Sequence, residues 1–124
     1  MIAVDSSTLI AYINGDTGPD VDRFDSVIGN NDIALPPVVL TEVLSQPNLP
    51  SGHWQMIREI PLLEIDKDYW LRVAETRKYI LSRKLRARLA DTLIAQSCID
   101  HDVALITRDT DFRHFAKHCG LKLA

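Results

Sequence analysis

Four acidic residues stand where their chemistry could converge: Asp5, Glu42, Asp91 and Asp109. Asp5 closes the β-branched run that opens the chain, Asp91 lies at the start of an apolar periodic segment, and Asp109 follows the run ending at Thr107. In open parallel α/β sheets ligands bind beyond the carboxyl ends of the strands, and Asp5, Asp91 and Asp109 all fall toward that edge. Carboxylates brought close repel one another and hold protons more readily unless a cation lies between them. Mg²⁺ or Mn²⁺ is the cation they suit, because hard ions prefer carboxylate and water oxygens and no soft ligand set accompanies these acids. Each acid also has a structural reading. Asp91 and Asp109 complement helix dipoles, and Asp5 caps the helix that follows it. Glu42, between Leu40 and Val43 in an apolar stretch, suits a surface role least. Asp111 reads as a fifth ligand or as an N-cap before Phe112, with the cap preferred.

The elements that must position these acids alternate short β-branched runs with amphipathic helical runs, the pattern of helices covering a mainly parallel sheet. The expected strands are Ile2 to Asp5, Ile33 to Leu35, Leu62 to Ile65, Val103 to Thr107 and Leu121 to Leu123. Ser6, Ser7 and Thr8 offer N-capping hydroxyls, and Pro19 opens a helix with Val21, Phe24, Val27 and Ile28 inward and Asp20, Asp22 and Asp25 outward. Pro36-Pro37 precedes a helix from Val38 to Ser45 that carries Glu42 in its early turns. From Asp66 to Leu81 the residues Trp70, Val73, Ala74, Ile80 and Leu81 share an apolar face opposite Glu75 and Lys78. Continuing that helix would bury Lys84 and Arg88, so a break is expected between Ser82 and Leu89. A new helix from Ala90 to His101 carries Leu93, Ile94, Ser97 and Cys98 inward, and a last one runs through Phe112 and Phe115 to a C-cap at Gly120.

With 46% apolar and 25% charged residues among 124, the chain reads as one domain, 1–124, that buries its core without disulfides. Its 14 basic and 17 acidic residues exclude a uniformly basic nucleic-acid coat. The charge is polarised: 2 basic and 8 acidic residues precede Ile60, and 12 basic and 9 acidic residues occupy the rest. Arg77, Lys78, Arg83, Lys84, Arg86 and Arg88 share a stretch free of acids, either a solvated helix face or a surface for phosphates. Arg86 and Arg88 are nearest Asp91, with Arg83 and Lys84 behind them. Cys98 and Cys119 are too few for a disulfide scaffold or a four-cysteine zinc site, and a reducing cytoplasm is expected. No apolar run approaches the ~20 residues of a membrane span. Trp54, Trp70 and Tyr79 read as core or subunit-contact residues rather than base-stacking ones, and a homodimer is expected.

Four blocks carry a resemblance: Val4-Asp5-Ser6-Ser7-Thr8-Leu9-Ile10-Ala11, Leu40-Thr41-Glu42-Val43-Leu44, Asp91-Thr92-Leu93-Ile94-Ala95, and Leu105-Ile106-Thr107-Arg108-Asp109-Thr110-Asp111-Phe112. In order and spacing they resemble the PIN-domain ribonuclease family, and within it the VapC-type toxins of bacterial and archaeal toxin–antitoxin pairs. The resemblance implies a three-layer α/β/α fold with a mainly parallel five-stranded sheet in the order 3-2-1-4-5. It implies metal-binding acids at Asp5, Glu42, Asp91 and Asp109, with Asp111 nearby, and hydroxyls at Ser7 and Thr107 that orient them. It further implies RNA as substrate, cleavage leaving a 5′-phosphate and a 3′-hydroxyl, and a VapB-type antitoxin as partner. Two departures stand out: no glycine between Ser82 and Leu89, and Gln96 where a second alanine is usual.

Such a site would hydrolyse a phosphodiester with Mg²⁺ or Mn²⁺ as cofactor. Asp5 and Asp91 are expected to hold the principal ion, Asp109 to complete it or bridge to a second, and Glu42 to bind through water or act as base. A zinc site at His114, His118 and Cys119 lacks a fourth ligand. A haloacid-dehalogenase phosphatase needs a second aspartate where Ser7 stands, and a receiver domain needs an acidic pair and a late lysine that are missing. The remaining alternative is a catalytically silent PIN-like domain that binds RNA or a protein.

Overall fold

Ile2, Ala3 and Val4 form β1 (Ile2–Val4), and burial of all three on both faces places this strand at the centre of the computed structural model, which describes residues 1–124. Parallel strands bury both faces because helices cover each side. β2 (Ile33–Ala34) pairs with one edge of β1 through Ile2 with Ile33 and Ala3 with Ala34. β3 (Ala104–Ile106) pairs with the other edge through Ile2 with Ala104, Ala3 with Leu105 and Val4 with Ile106.

The sheet therefore has three strands in the order β2-β1-β3, which corrects the five-stranded sheet and its 3-2-1-4-5 order. The two expected outer strands are single parallel bridges, Leu35 with Leu62 and Leu105 with Leu123. Beside β2, the Leu63 N–H donates to the Leu35 carbonyl, after which Glu64 and Ile65 turn out to solvent and pairing stops. Beside β3, the Leu105 N–H donates to the Lys122 carbonyl, but Lys122 and Leu123 are exposed and have no second face to bury.

The helices are α1 (Ser6–Ile13), α2 (Pro19–Ile28), α3 (Pro37–Leu44), α4 (Ser51–Arg58), α5 (Tyr69–Ser82), α6 (Leu89–His101) and α7 (Arg113–Cys119), with a 3₁₀ turn at Thr110–Phe112 before the last. Pro19 and Pro37 open α2 and α3, where a missing N–H costs nothing. Asp102 and Gly120, both left-handed, end α6 and α7. Twenty-three buried apolar residues from the strands and helices make one core cluster, centred on Phe24, Phe112, Phe115, Leu9 and the strand residues.

The expected stripe on α5 is corrected. Tyr69, Val73 and Ile80 are buried, whereas Trp70, Ala74 and Leu81, one residue further round the helix, are exposed. α5 packs on α6 along a partly polar seam: Thr76 donates to Gln96 and the Gln96 amide to Asp100, 2.8 Å away. That seam accounts for a glutamine in place of alanine. Trp54, Trp70 and Tyr79 are all exposed, so none is a core residue. The break after Ser82 falls at Lys84, whose φ of 61° reverses the chain without glycine. The Arg77 guanidinium then donates to the Ala87 carbonyl and ties the returning segment to α5. No helix is long and apolar enough to cross a membrane.

Candidate active site

The carboxyl ends of β1 and β3 deliver Asp5 and the segment Thr107 to Asp111 to one edge of the sheet, and the first turn of α6 brings Asp91 there. Asp91, Asp109 and Asp111 come together, each offering a carboxylate oxygen within 4.8 Å of the others. Asp109 caps the 3₁₀ turn by accepting the Asp111 N–H at 2.9 Å. The cap expected at Asp111 therefore belongs to Asp109, and the Asp111 carboxylate is left for the cluster. One Asp91 oxygen, Oδ2, is buried with no hydrogen-bond partner.

Asp5 falls outside this group of three and is buried, 4% exposed. Its Oδ2 accepts from the Ser7 hydroxyl at 2.6 Å and from the Thr107 hydroxyl at 2.8 Å. Thr107 Oγ1 in turn accepts the Asp109 N–H at 3.0 Å, which links the buried acid to the cluster acid. Glu42, half-buried on α3, is joined to the site through Ser6, whose hydroxyl donates to its Oε1 at 2.6 Å. The helix-capping role expected of the α1 hydroxyls is thus corrected: Ser6, Ser7 and Thr8 donate to Glu42, Asp5 and Asp20, and no side chain caps α1.

The electrostatics follow the crowding. Asp91 is pushed up to about 6, first by burial and then by the charges of Asp109 and Asp5. Burial also raises Asp5 above the ordinary carboxylate range, against the hydroxyl bonds that pull it down. Positive charge reaches the rim from one side. Arg86 lies 3.6 Å from Asp111, and Arg88, at the N-cap of α6, acts on Asp91. Arg83 is elsewhere, stacked over Tyr79 at 5.8 Å and acting on His118 of α7. The segment Arg83 to Arg88 is therefore divided, with Lys84 at the reversal.

One charged pair beside the site was missed. Asp20, expected to face solvent, is joined to Arg108 through two oxygens and to the buried Thr8. Gly18 leaves room for the pair, since an added Cβ there would meet both charged groups.

A parallel sheet that collects acids at its carboxyl edge beside a basic rim defines a class, an α/β protein with a cluster of carboxylates at the end of its sheet. The chain belongs to the PIN-domain family, whose model, described as "PIN domain", matches residues 2–118. Among solved structures it is similar to a chain of VapBC2 from Rickettsia felis bound to a DNA fragment from their promoter, with TM-score 0.76 and 19% identity over 100% of this chain and 98% of that one. At that identity the likeness speaks for the fold. No curated protein matches the chain.

Proposed function

We propose that this protein is a metal-dependent endoribonuclease and the VapC-type toxin of a toxin–antitoxin pair. The observation that carries the reading is the triad Asp91, Asp109 and Asp111 within 4.8 Å, together with the unpartnered buried oxygen of Asp91. These residues fit Mg²⁺ or Mn²⁺: every donor is a hard carboxylate oxygen, and the burial and carboxylate repulsion that lift Asp91 are what a bound cation offsets. When bound, the ion supplies positive charge at the phosphodiester and a more acidic water for in-line attack on phosphorus.

The chain's own groups do the rest. Asp91, Asp109 and Asp111 hold the cation; Asp5 is held by Ser7 and Thr107 and adds to the charge that Asp91 feels. Glu42, the acid outside the triad, is fixed by Ser6 and is assigned to proton transfer. Arg86 and Arg88 receive the RNA phosphates at the rim, with Arg83 and Lys84 outside the contact. A VapB-type antitoxin is the partner that fold likeness to a VapBC2 chain supports.

A homodimer belongs to the same reading. Trp70, Ala74 and Leu81 of α5 and Leu89 and Leu93 of α6 line an open apolar cleft of about 700 Å³, where a second copy would be seated.

The test is incubation of pure protein with end-labelled structured RNAs, with and without Mn²⁺ or Mg²⁺, beside Asp5→Asn and Asp91→Asn. Cleavage that needs the metal and is lost in both folded variants is expected. Cleavage that persists in excess EDTA would refute the mechanism.

A further inference from the structure

Two of the three triad acids, Asp109 and Asp111, stand on the short loop and 3₁₀ turn between β3 and α7, and mutual repulsion drives such acids apart. Something must hold that backbone in place. Thr107 fastens it on one side through Asp5. Arg108, the next residue, reaches the other way. Its Nε donates to Asp20 Oδ2 at 2.8 Å, and its Nη2 donates to Asp20 Oδ1 at 3.0 Å and to the Thr17 carbonyl at 3.1 Å. Asp20 is itself anchored by the fully buried Thr8, whose hydroxyl donates to Oδ2 at 2.8 Å. The Arg108 backbone N–H also approaches the Ser7 hydroxyl, 3.4 Å away.

This pair is built rather than incidental. The Asp20 side chain is 10% exposed, the fork is two-pronged, and Arg108 holds Asp20 below the usual carboxylate range. Gly18 makes room for it. At a φ of 154°, a Cβ there would stand 2.8 Å from Asp20 Oδ1 and 3.0 Å from Arg108 Nη2. A methyl group there would push the charged ends of the pair apart.

We propose that Arg108 and Asp20 are positioning residues, a clamp from α2 that holds the Thr107–Asp111 segment so that Asp109 and Asp111 stay within reach of one cation. The metal role of those acids rests on the function proposed above; the mechanical role of the clamp does not. The Nε and Nη2 protons of Arg108 are spent inside the fold. Lysine would keep the charge and lose the fork, so Arg108→Lys should be intermediate.

The experiment measures two quantities on Arg108→Gln, Arg108→Lys, Asp20→Asn, Gly18→Ala and the double variant of Asp20→Asn with Arg108→Gln. The first, made without metal, is amide hydrogen exchange at Asp109 and Asp111, with Leu105 of β3 as the internal control. Exchange at the first two should quicken by about tenfold while Leu105 is unchanged. The second is Mn²⁺ affinity by calorimetry, which should fall on the order of 10- to 100-fold, as it does when groups supporting metal ligands are lost. The double variant should be no worse than the weaker single, because both remove one interaction. Gly18→Ala and the near-isosteric Asp20→Asn keep the test open if Arg108→Gln does not fold. Unchanged exchange overturns the clamp. Faster exchange with wild-type Mn²⁺ affinity overturns the positioning role and leaves a structural ion pair. A wild-type protein that takes up no Mn²⁺ overturns the proposed function instead, and exchange alone then decides whether the clamp holds the segment.

Discussion

Asp91 concentrates the physics of the site, because burial and the charges of Asp109, Asp5 and Asp111 act on it in the same direction. An acid whose pKa is about 6 in the fold and near 3.8 unfolded binds more protons in the native state between those values. Stability of the metal-free protein should therefore rise as pH falls from 7 toward 4, with Asp5, also raised, adding in the same sense. Asp20 works oppositely: its pKa is lowered, so its contribution is intact above 3.8 and is lost only as pH falls through its folded value. Melting curves without metal at pH 5 and pH 7.5 should show the higher midpoint at pH 5, and Asp91→Asn should flatten the difference. The same substitution should stabilise the metal-free protein at neutral pH by on the order of 1 kcal/mol, after allowance for solvent screening, and cancel the gain from added Mn²⁺. Equal curves for both proteins under all conditions would show that the acids do not repel one another as a group. Asp5, Asp91 and Asp109 stood out in the sequence because they lie at the edges of elements, whereas Glu42 lies inside α3 and stood out only for its apolar neighbours. Their hydroxyl partners did not: Ser6, Ser7 and Thr8 have the composition of a helix cap, and only the fold brings up Glu42, 36 residues away, or Asp20, 12 away, to compete for them.

At the scale of elements, periodicity marked the helices other than α4, which was not expected, but α5 carries two apolar stripes side by side and periodicity alone does not choose between them. Packing on α6 selects Tyr69, Val73 and Ile80. The neighbouring stripe of Trp70, Ala74 and Leu81 is left outside. The following break was legible from the charges that a longer helix would bury, and its cause is the left-handed Lys84. A side chain in that conformation is strained by about 1 kcal/mol, so Lys84→Gly should stabilise the protein by a few tenths to ~1 kcal/mol in urea unfolding, the greater freedom of glycine in the unfolded chain offsetting part of the gain. A loss of stability would mean that the Lys84 side chain makes a contact worth more than the strain. The reversal also divides the basic segment. Arg86→Glu with Arg88→Glu should weaken RNA binding and flatten its salt dependence, whereas Arg83→Glu, on the Tyr79 side, should leave both near wild type. If Arg83→Glu is as damaging as the pair, RNA crosses the α5–α7 side instead.

Over the whole molecule, the parallel central strands were readable because burial on both faces writes continuous apolar runs, while the two outer bridges are too short to be distinguished from strands by composition. The same chain leaves a large apolar surface unburied, with Trp70 58%, Leu81 46% and Leu89 57% exposed around one cleft. A core that already encloses 23 apolar residues has no further use for these side chains, so the area they expose is available to a second subunit. Leu89 adjoins Arg88, so a copy seated there would lie next to the basic rim and lengthen the positive surface offered to RNA. Light scattering should therefore give the mass of a dimer, and Leu81→Glu with Leu89→Glu should give that of a monomer. Because both residues are exposed in the single chain, the substitutions should cost the fold only about 0.5 kcal/mol each, so secondary structure should persist. The monomeric variant should also cleave RNA with the metal requirement intact but bind it with a shallower salt dependence, since each site would lose its neighbour's rim. A wild-type monomer, or a variant that stays dimeric, would show that this face is not the subunit contact.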